Sequence, residues 1–378
     1  RTCPDCQDIV KCAAAVNRPV CQRVTIHTPS AKPHCSMSAR PEPATLLITG
    51  GAGYIGAHTC VALQRAGYRL VVLDNFCNSS PQTLARIQRI TGQPLEGVQG
   101  DVRDRALLDR LFQSNAIHGV LHFAGLKAVG ESSEKPLEYY SNNVAGSLVL
   151  LQVMQAAGVK TLVFSSSATV YGTPQFLPYT EAHPLAPVNP YGRTKLMVED
   201  MLRDLHQSDA DWRVGILRYF NPVGADASGL IGEDPRGIPN NLMPFIAQVA
   251  TGRREFLNVW GNDYETPDGT GVRDYIHVTD LAAGHVRALQ HLEKNPGCLT
   301  LNLGSGRGHS VLEMVRAFEQ ASGRTIAHRF APRRAGDLPA FWANADEARR
   351  ILGWEARCSL LQMCEDTWRF QTQSAEAG

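Results

Sequence analysis

A short apolar run, Thr45-Leu46-Leu47-Ile48-Thr49, leads directly into Gly50-Gly51-Ala52-Gly53-Tyr54-Ile55-Gly56. No other stretch narrows the choice of fold as much. The run reads as a buried strand, and residues His58 to Ala66 beyond the glycines read as a helix. Glycines at 50, 53 and 56, spaced three and three, suit a strand-turn-helix junction in which backbone approaches a pyrophosphate held at the helix N-terminus. A second apolar run, Arg69-Leu70-Val71-Val72-Leu73, ends in Asp74, 18 residues after Gly56. A carboxylate there accepts hydrogen bonds from an adenosine ribose and repels a 2′-phosphate, so the expected cofactor is NAD rather than NADP.

The same rhythm continues. Leu95 to Gly100, Gly119 to Phe123 and Thr161 to Phe164 read as short buried strands, with helical patterns near Arg105 to Gln113 and Leu137 to Ala157 between them. Such alternation predicts a parallel sheet, whose ligands gather outside the carboxyl ends of the strands. Those ends carry Asp101, the segment Phe123-Ala124-Gly125-Leu126-Lys127 and the run Ser165-Ser166-Ser167. Further on, Asn189-Pro190 reads as an N-cap followed by proline at the first helical position, with Leu196, Met197 and Met201 as the apolar stripe. Tyr191 and Lys195 then lie on one face, where an ammonium can favour the ionised phenol and make Tyr191 a base. A base working near pH 7 needs the phenol lowered from about 10, at a cost of roughly 4 kcal/mol. One positive charge at about 4 Å supplies on the order of that at an effective dielectric of 20, so Lys195 together with an oxidised nicotinamide suffices.

Composition excludes other classes. A net charge of +1 and 43% hydrophobic residues fit a globular chain. No basic stripe points to nucleic acid, and no apolar run of ~18 residues points to a membrane span. Residues 1 to 43 stand apart, because Cys3, Cys6, Cys12, Cys21 and Cys35 fall there without periodic pattern or apolar leader core. Cys3-Pro4-Asp5-Cys6 resembles half of a zinc site, but no second half follows at the usual spacing, so no metal is expected. Met37 sits just ahead of the first strand, and the preceding segment is expected to be disordered and dispensable, upstream or added sequence. Cys60, Cys77, Cys298, Cys358 and Cys364 are scattered, as reduced thiols in cytoplasm would be.

The stretches Thr49 to Gly56, His122 to Ser132, Phe164 to Gly172, Pro190 to Lys195, Arg218 to Gly224 and Gly269 to His277 resemble the UDP-glucose 4-epimerase family of the extended short-chain dehydrogenase/reductase superfamily. The resemblance spans about residues 44 to 370. It implies an α/β chain: a Rossmann-type doubly wound parallel sheet over 44–220, and a smaller α/β domain over 221–378 that binds the UDP-sugar, with the chain free to cross between the lobes. The implied reaction interconverts UDP-galactose and UDP-glucose, a step of galactose metabolism. Tightly held NAD takes hydride from C4, and the 4-keto sugar turns over and is reduced on its other face. Tyr191 is then the base, Lys195 holds the nicotinamide ribose and lowers the Tyr191 pKa, and Ser167 bonds the reacting oxygen.

Carried over in the same way, NAD contacts fall to Tyr54, Ile55, Asn75, Val102, Phe123, Ala124, Gly125, Lys127, Asn142, Ser165 and Tyr219, beside Gly50, Gly53, Gly56, Asp74, Asp101, Tyr191 and Lys195. Substrate contacts fall to Lys127, Asn221, Asn240-Asn241-Leu242, Asn258-Val259-Trp260, Arg273, Tyr275, Arg334 and Asp337. Two arginines can neutralise a pyrophosphate, and Trp260 offers a flat face to uracil. Arg333-Arg334 beside Asp337 also reads as a plain surface charge cluster. Phe341 stands where the family limits sugar size, and a bulky aromatic there implies sugars without a 2-acetamido group. The family further implies a homodimer through the long helices before and containing Tyr191. Two rival readings compete with it: another nucleotide-sugar epimerase or a dehydratase on the same scaffold, and a non-catalytic NAD-binding regulator. Dehydratases carry an Asp-Glu pair after the serine run, where this chain has Ala168-Thr169, and regulators lose the tyrosine or lysine that this chain keeps.

Overall fold

The computed structural model describes residues 43–235, 239, 241–334 and 336–376. The expectation of disorder before residue 43 lies outside them. The chain alternates strand and helix through its first half: β1 (Thr45–Thr49), α1 (Tyr54–Arg65), β2 (Arg69–Asp74), α2 (Gln82–Thr91), β3 (Glu96–Gln99), α3 (Arg105–Ser114) and β4 (Ile117–His122). Short helices α4 (Val129–Glu134) and α5 (Pro136–Tyr139) precede α6 (Gly146–Ala156), β5 (Thr161–Ser167), α7 (Pro190–Ser208), β6 (Arg213–Tyr219) and β7 (Asn221–Val223). The second half runs α8 (Leu242–Ala250), β8 (Leu257–Trp260), β9 (Val272–His277), α9 (Val278–Lys294), β10 (Cys298–Leu303), β11 (Gly308–Ser310) and α10 (Val311–Ser322), and closes with β12 (His328–Ala331), β13 (Ala340–Phe341), α11 (Asp346–Leu352) and α12 (Leu360–Glu376).

Seven strands form one parallel sheet in the order β10-β6-β5-β4-β1-β2-β3. Both faces of its central strands are covered, which is why those are continuous apolar runs rather than alternating ones, while the edge strand β3 is mostly exposed rather than buried as its run suggests. On β1, Leu46 and Ile48 pack with Val61 of α1 and Leu289 of α9, while Leu47 between them packs with Leu151 of α6 and Val198 of α7. Each side chain so buried contributes about 1.5–3 kcal/mol. Strand order reverses between β1 and β4, and at such a switch point the loops diverge and leave a crevice. The sequence boundary at 220 does not coincide with the sheet. Strand β10, from the second half, pairs with β6, and α9 covers the same face as α1. The smaller lobe pairs β9 with β7, β11 and β13, and β8 with β12, over a core shared by α8, α10 and α12.

Two expectations need correction. The helical pattern over Leu137 to Ala157 is not one helix, because Tyr140–Ala145 forms a π-helical turn between α5 and α6. Such turns rotate the side chains that follow, and here the turn carries Asn142 and Asn143. On α7 the expected stripe of Leu196, Met197 and Met201 holds only in part: Leu196 and Met201 are half-buried and pack against the core. Met197 is exposed, and the fully buried residues are Gly192, Thr194, Lys195, Val198, Glu199 and Leu202. The helix packs a polar stripe inward because it lies over the serine end of β5.

Candidate functional site

The glycine junction forms by geometric necessity. Gly50 has φ +70°, and a Cβ there would lie 2.7 Å from the Ala124 backbone nitrogen. A Cβ on Gly56 would lie 2.3 Å from the Gly50 carbonyl oxygen, so α1 can start tight against the turn only without one. Helix α1 accordingly begins at Tyr54, earlier than the apolar pattern indicates, with Gly53 as an N-cap that has no side chain to spend on the first N–H groups. Asp74, at the end of β2, accepts from the Ala52 N–H at 3.0 Å through one oxygen, and from the Phe76 N–H and Ser79 hydroxyl through the other. It therefore braces the turn as well as facing the cavity. Asp101 is held down at about 2 by bidentate hydrogen bonds from Arg103.

A cavity of about 1060 Å³ opens at the switch point. Every residue expected to contact NAD lines it, from Gly50, Gly53, Tyr54, Ile55 and Gly56 through Asp74, Asn75, Asp101 and Val102 to Phe123, Ala124, Gly125, Lys127, Asn142, Ser165, Tyr191, Lys195 and Tyr219. Asn143, from the π-helical turn, was missed from the sequence. Its amide bonds the Leu126 N–H and carbonyl and the Thr194 hydroxyl, fixing the Phe123–Lys127 loop to α7. Only the turn's extra residue aims it there.

Asn189 caps α7 by accepting from the Gly192 N–H at 2.8 Å, and Pro190 follows at the first helical position. One turn in, the Lys195 ammonium donates to the Ser165 carbonyl at 2.6 Å and stands 5.9 Å from the centre of the Tyr191 ring. Burial pushes Lys195 down to about 8, with Glu199 opposing. Burial pushes Tyr191 up to about 12, and the Ser167 hydroxyl opposes that. Lys195 by itself therefore does not bring the Tyr191 phenol below its ordinary value: the ammonium is turned onto a carbonyl, and further positive charge has to stand beside the phenol. Beneath them, Glu199 accepts from Ser166 at 2.5 Å and from Arg218 through both oxygens. Burial alone would raise the Glu199 carboxyl, but Arg218 and Ser166 hold it below its ordinary value. Glu199 thus ties the serine strand, through Ser166, and β6, through Arg218, to the helix that carries Tyr191. Tyr219 bonds the buried His285, which burial pushes down to about 4.

The remaining expected residues gather on the smaller lobe, apart from that cavity's lining. Asn221, on β7 opposite Tyr275 of β9, has a buried side-chain oxygen with no partner. Asn240 lies outside the described residues. Asn241 caps α8 by position, and Leu242 begins the helix. Trp260 is 41% exposed at the end of β8, with the Arg334 guanidinium 5.9 Å from its ring, while Val259 points into the core and Asn258 accepts from Arg329. The Arg333-Arg334 pair divides: Arg333 bonds Asp263 and stacks on Tyr264, whereas Arg334 bonds Asp337 at 2.8 Å. Arg273, lowered by burial, lies 4.0 Å from the same Asp337 and 4.6 Å above the Phe341 ring. Two guanidiniums thus converge on one carboxylate, and one of them stands near a flat indole.

A parallel doubly wound sheet, a glycine turn with an open helix start, an acid after β2 and a Tyr-Lys pair beside a serine strand end define a dinucleotide-dependent enzyme. The chain belongs to the NAD dependent epimerase/dehydratase family, whose model matches residues 46–304. Within it, the chain is 60% identical over 332 residues to UDP-glucose 4-epimerase of Yersinia pestis, covering 88% of this chain and 98% of that one. It is 56% identical over 336 residues to the Homo sapiens UDP-glucose 4-epimerase, covering 87% and 97%. The solved Stenotrophomonas maltophila UDP-glucose-4-epimerase, with bound NAD and formylated UDP-arabinopyranose, superposes with a TM-score of 0.87 at 53% identity, over 89% of this chain and all of that one.

Proposed function

We propose that the chain interconverts UDP-galactose and UDP-glucose at C4 through a 4-keto sugar, with NAD as a tightly held cofactor. The observation that carries this reading is the cavity at the switch point, with its glycine cradle at one end and Tyr191, Lys195 and Ser165 at the other. The cradle suits a dinucleotide because the turn closes this tightly only with glycine at 50 and 56, where a side chain would strike neighbouring backbone, and because the N-terminus of α1 carries no acidic residue in its first turn to oppose a pyrophosphate. When bound, NAD supplies a hydride acceptor and, once reduced, a donor. Tyr191 takes the 4-hydroxyl proton and returns it. Ser167 holds the reacting oxygen, and Lys195, anchored on the Ser165 carbonyl, orients the nicotinamide ribose.

Left to the chain's own groups Tyr191 stays a phenol, so it acts as a base only when further positive charge stands beside it. An oxidised nicotinamide is such a charge. The base is thereby tied to the oxidised half of the cycle and the acid to the reduced half. On the smaller lobe, Arg273 and Arg334 take the diphosphate, Trp260 takes the uracil, and Asn221 and the start of α8 complete the contacts. Phe341, packed on Arg273 and 6.3 Å from both Tyr179 and Phe220, makes a rigid wall that supports a preference for sugars lacking a 2-acetamido group. Exposed Val129, Leu137, Leu148 and Met197 on α4 to α7 support a homodimer through that face. The described cysteines form no disulfide, which supports a reducing, cytoplasmic setting.

The test is to add UDP-galactose to purified protein without external NAD and assay UDP-glucose, with Tyr191→Phe beside it. Conversion by the wild type and a loss of about 10²–10⁴-fold in the variant are expected. No conversion even after NAD is added would refute the activity, and full activity of the variant would refute the base.

A further inference from the structure

The cavity wall holds a carboxyl group, that of Glu233, with a bonding pattern that the reaction outlined above does not use. Glu233, between β7 and α8, has a side chain 10% exposed. One of its oxygens accepts from Lys127 at 3.2 Å and from the Asn241 amide at 2.6 Å. Its other oxygen is buried and has no partner. Lys127 comes from the loop beyond β4, on the side of the glycine cradle, whereas Asn241 stands at the start of α8 in the smaller lobe. An asparagine at that position ordinarily turns its oxygen onto the first N–H groups of its own helix. Here no such bond forms, and the amide reaches across to the carboxylate. Glu233 therefore joins a cation on one ligand's side to a helix start on the other's.

From this we infer that Glu233 is a positioning residue that couples retention of NAD to binding of the nucleoside diphosphate. The inference rests on the proposed function, together with the ligand contacts that the resemblance implies for Lys127 and Asn241. A phosphate that draws on Lys127 or on the start of α8 pulls at a shared bridge. The carboxylate's spare oxygen lets it keep both partners, one on each oxygen, as either shifts. Whichever ligand arrives first orders Lys127, Glu233 and Asn241 together, and the second meets a bridge already ordered. Coupling of this kind is reciprocal and runs from about 5-fold upward.

The experiment uses the holoenzyme with NAD bound and follows NAD release with and without saturating UDP, while UDP affinity is measured on the same samples by calorimetry. In the wild type UDP should slow NAD release about fivefold. In Glu233→Gln both ligands should still bind, but the ratio should fall close to one. Glu233→Asp, which keeps the charge one methylene shorter, should give an intermediate ratio. A purely structural role would lower the melting temperature of the variants and leave the ratio at its wild-type value, and that result overturns the coupling. It is also overturned if UDP binds the wild type without slowing NAD release, even though epimerase activity, and with it the proposed function, stands. A wild type that binds no UDP refutes the proposed function itself.

Discussion

Replacing Lys195 by methionine separates the chemistry of the site from its stability. Methionine keeps the unbranched apolar stem, one atom short of the ammonium, and removes the charge. The ammonium stands 5.9 Å from the Tyr191 ring centre, and at an effective dielectric of 20 a unit charge at that distance is worth about 3 kcal/mol, or about two pKa units on the phenol. The acid limb of the pH–rate profile should therefore move up by about two pH units, and at neutral pH the rate should fall about 100-fold. Stability should respond quite differently. Burial holds Lys195 down at about 8 against an ordinary 10.5, so keeping it charged near neutrality costs about 3 kcal/mol. Losing the bond to the Ser165 carbonyl leaves that oxygen without its donor and costs about 1–3 kcal/mol. The two nearly cancel, and Lys195→Met should unfold in urea close to the wild type.

The pH dependence of stability gives a second readout. Because the folded-state pKa of Lys195 is depressed, the unfolded chain binds more protons between about pH 8 and 10.5, and wild-type stability gains a rising contribution across that window. The variant should lack it. A Lys195→Met protein whose acid limb stays in place, or whose rate loss is matched by a loss of several kcal/mol in stability, would show that the lysine acts through packing and not through charge.

Gly56→Ala puts a methyl group 2.3 Å from a backbone oxygen that cannot swing away, so the turn must open by about 1 Å. NAD affinity, read by fluorescence titration, should drop at least 100-fold while the far-ultraviolet dichroism holds. Leu137 is 81% exposed on α5, and Leu137→Asp should shift the protein toward monomer in sedimentation equilibrium without changing NAD binding.

Much of the first half is legible in the residues because its determinants are local. The β1 run, the three glycines and Asp74 lie within thirty residues of one another, and steric exclusion at Gly50 and Gly56 acts over a single turn. Asn189 and Pro190 set the start of α7 in the same way, and the i, i+4 spacing alone puts Tyr191 and Lys195 on one face. The faults arise where a helix meets something distant. The apolar stripe on α7 accounts for only part of its buried face, because that face also meets the polar end of β5 through Thr194, Lys195 and Glu199, and nothing in the composition of the long helix before it marks the π-helical turn. The resemblance supplied the substrate-side residues, which no local pattern would have assembled.

The sequence by itself determined the dinucleotide cradle, the strand-helix alternation and the Tyr-Lys pair, since each depends on backbone sterics or periodicity over a few residues. Tertiary structure alone decided where the Lys195 ammonium points, that Arg218 and Glu199 brace the serine strand, that Arg334 parts from Arg333 to meet Arg273 at Asp337, and that Glu233 joins Lys127 to Asn241. Each of these is a choice among charged partners distant in the chain. Charge attraction carries no sequence register, so only the packing of sheet against lobe selects which pairs meet.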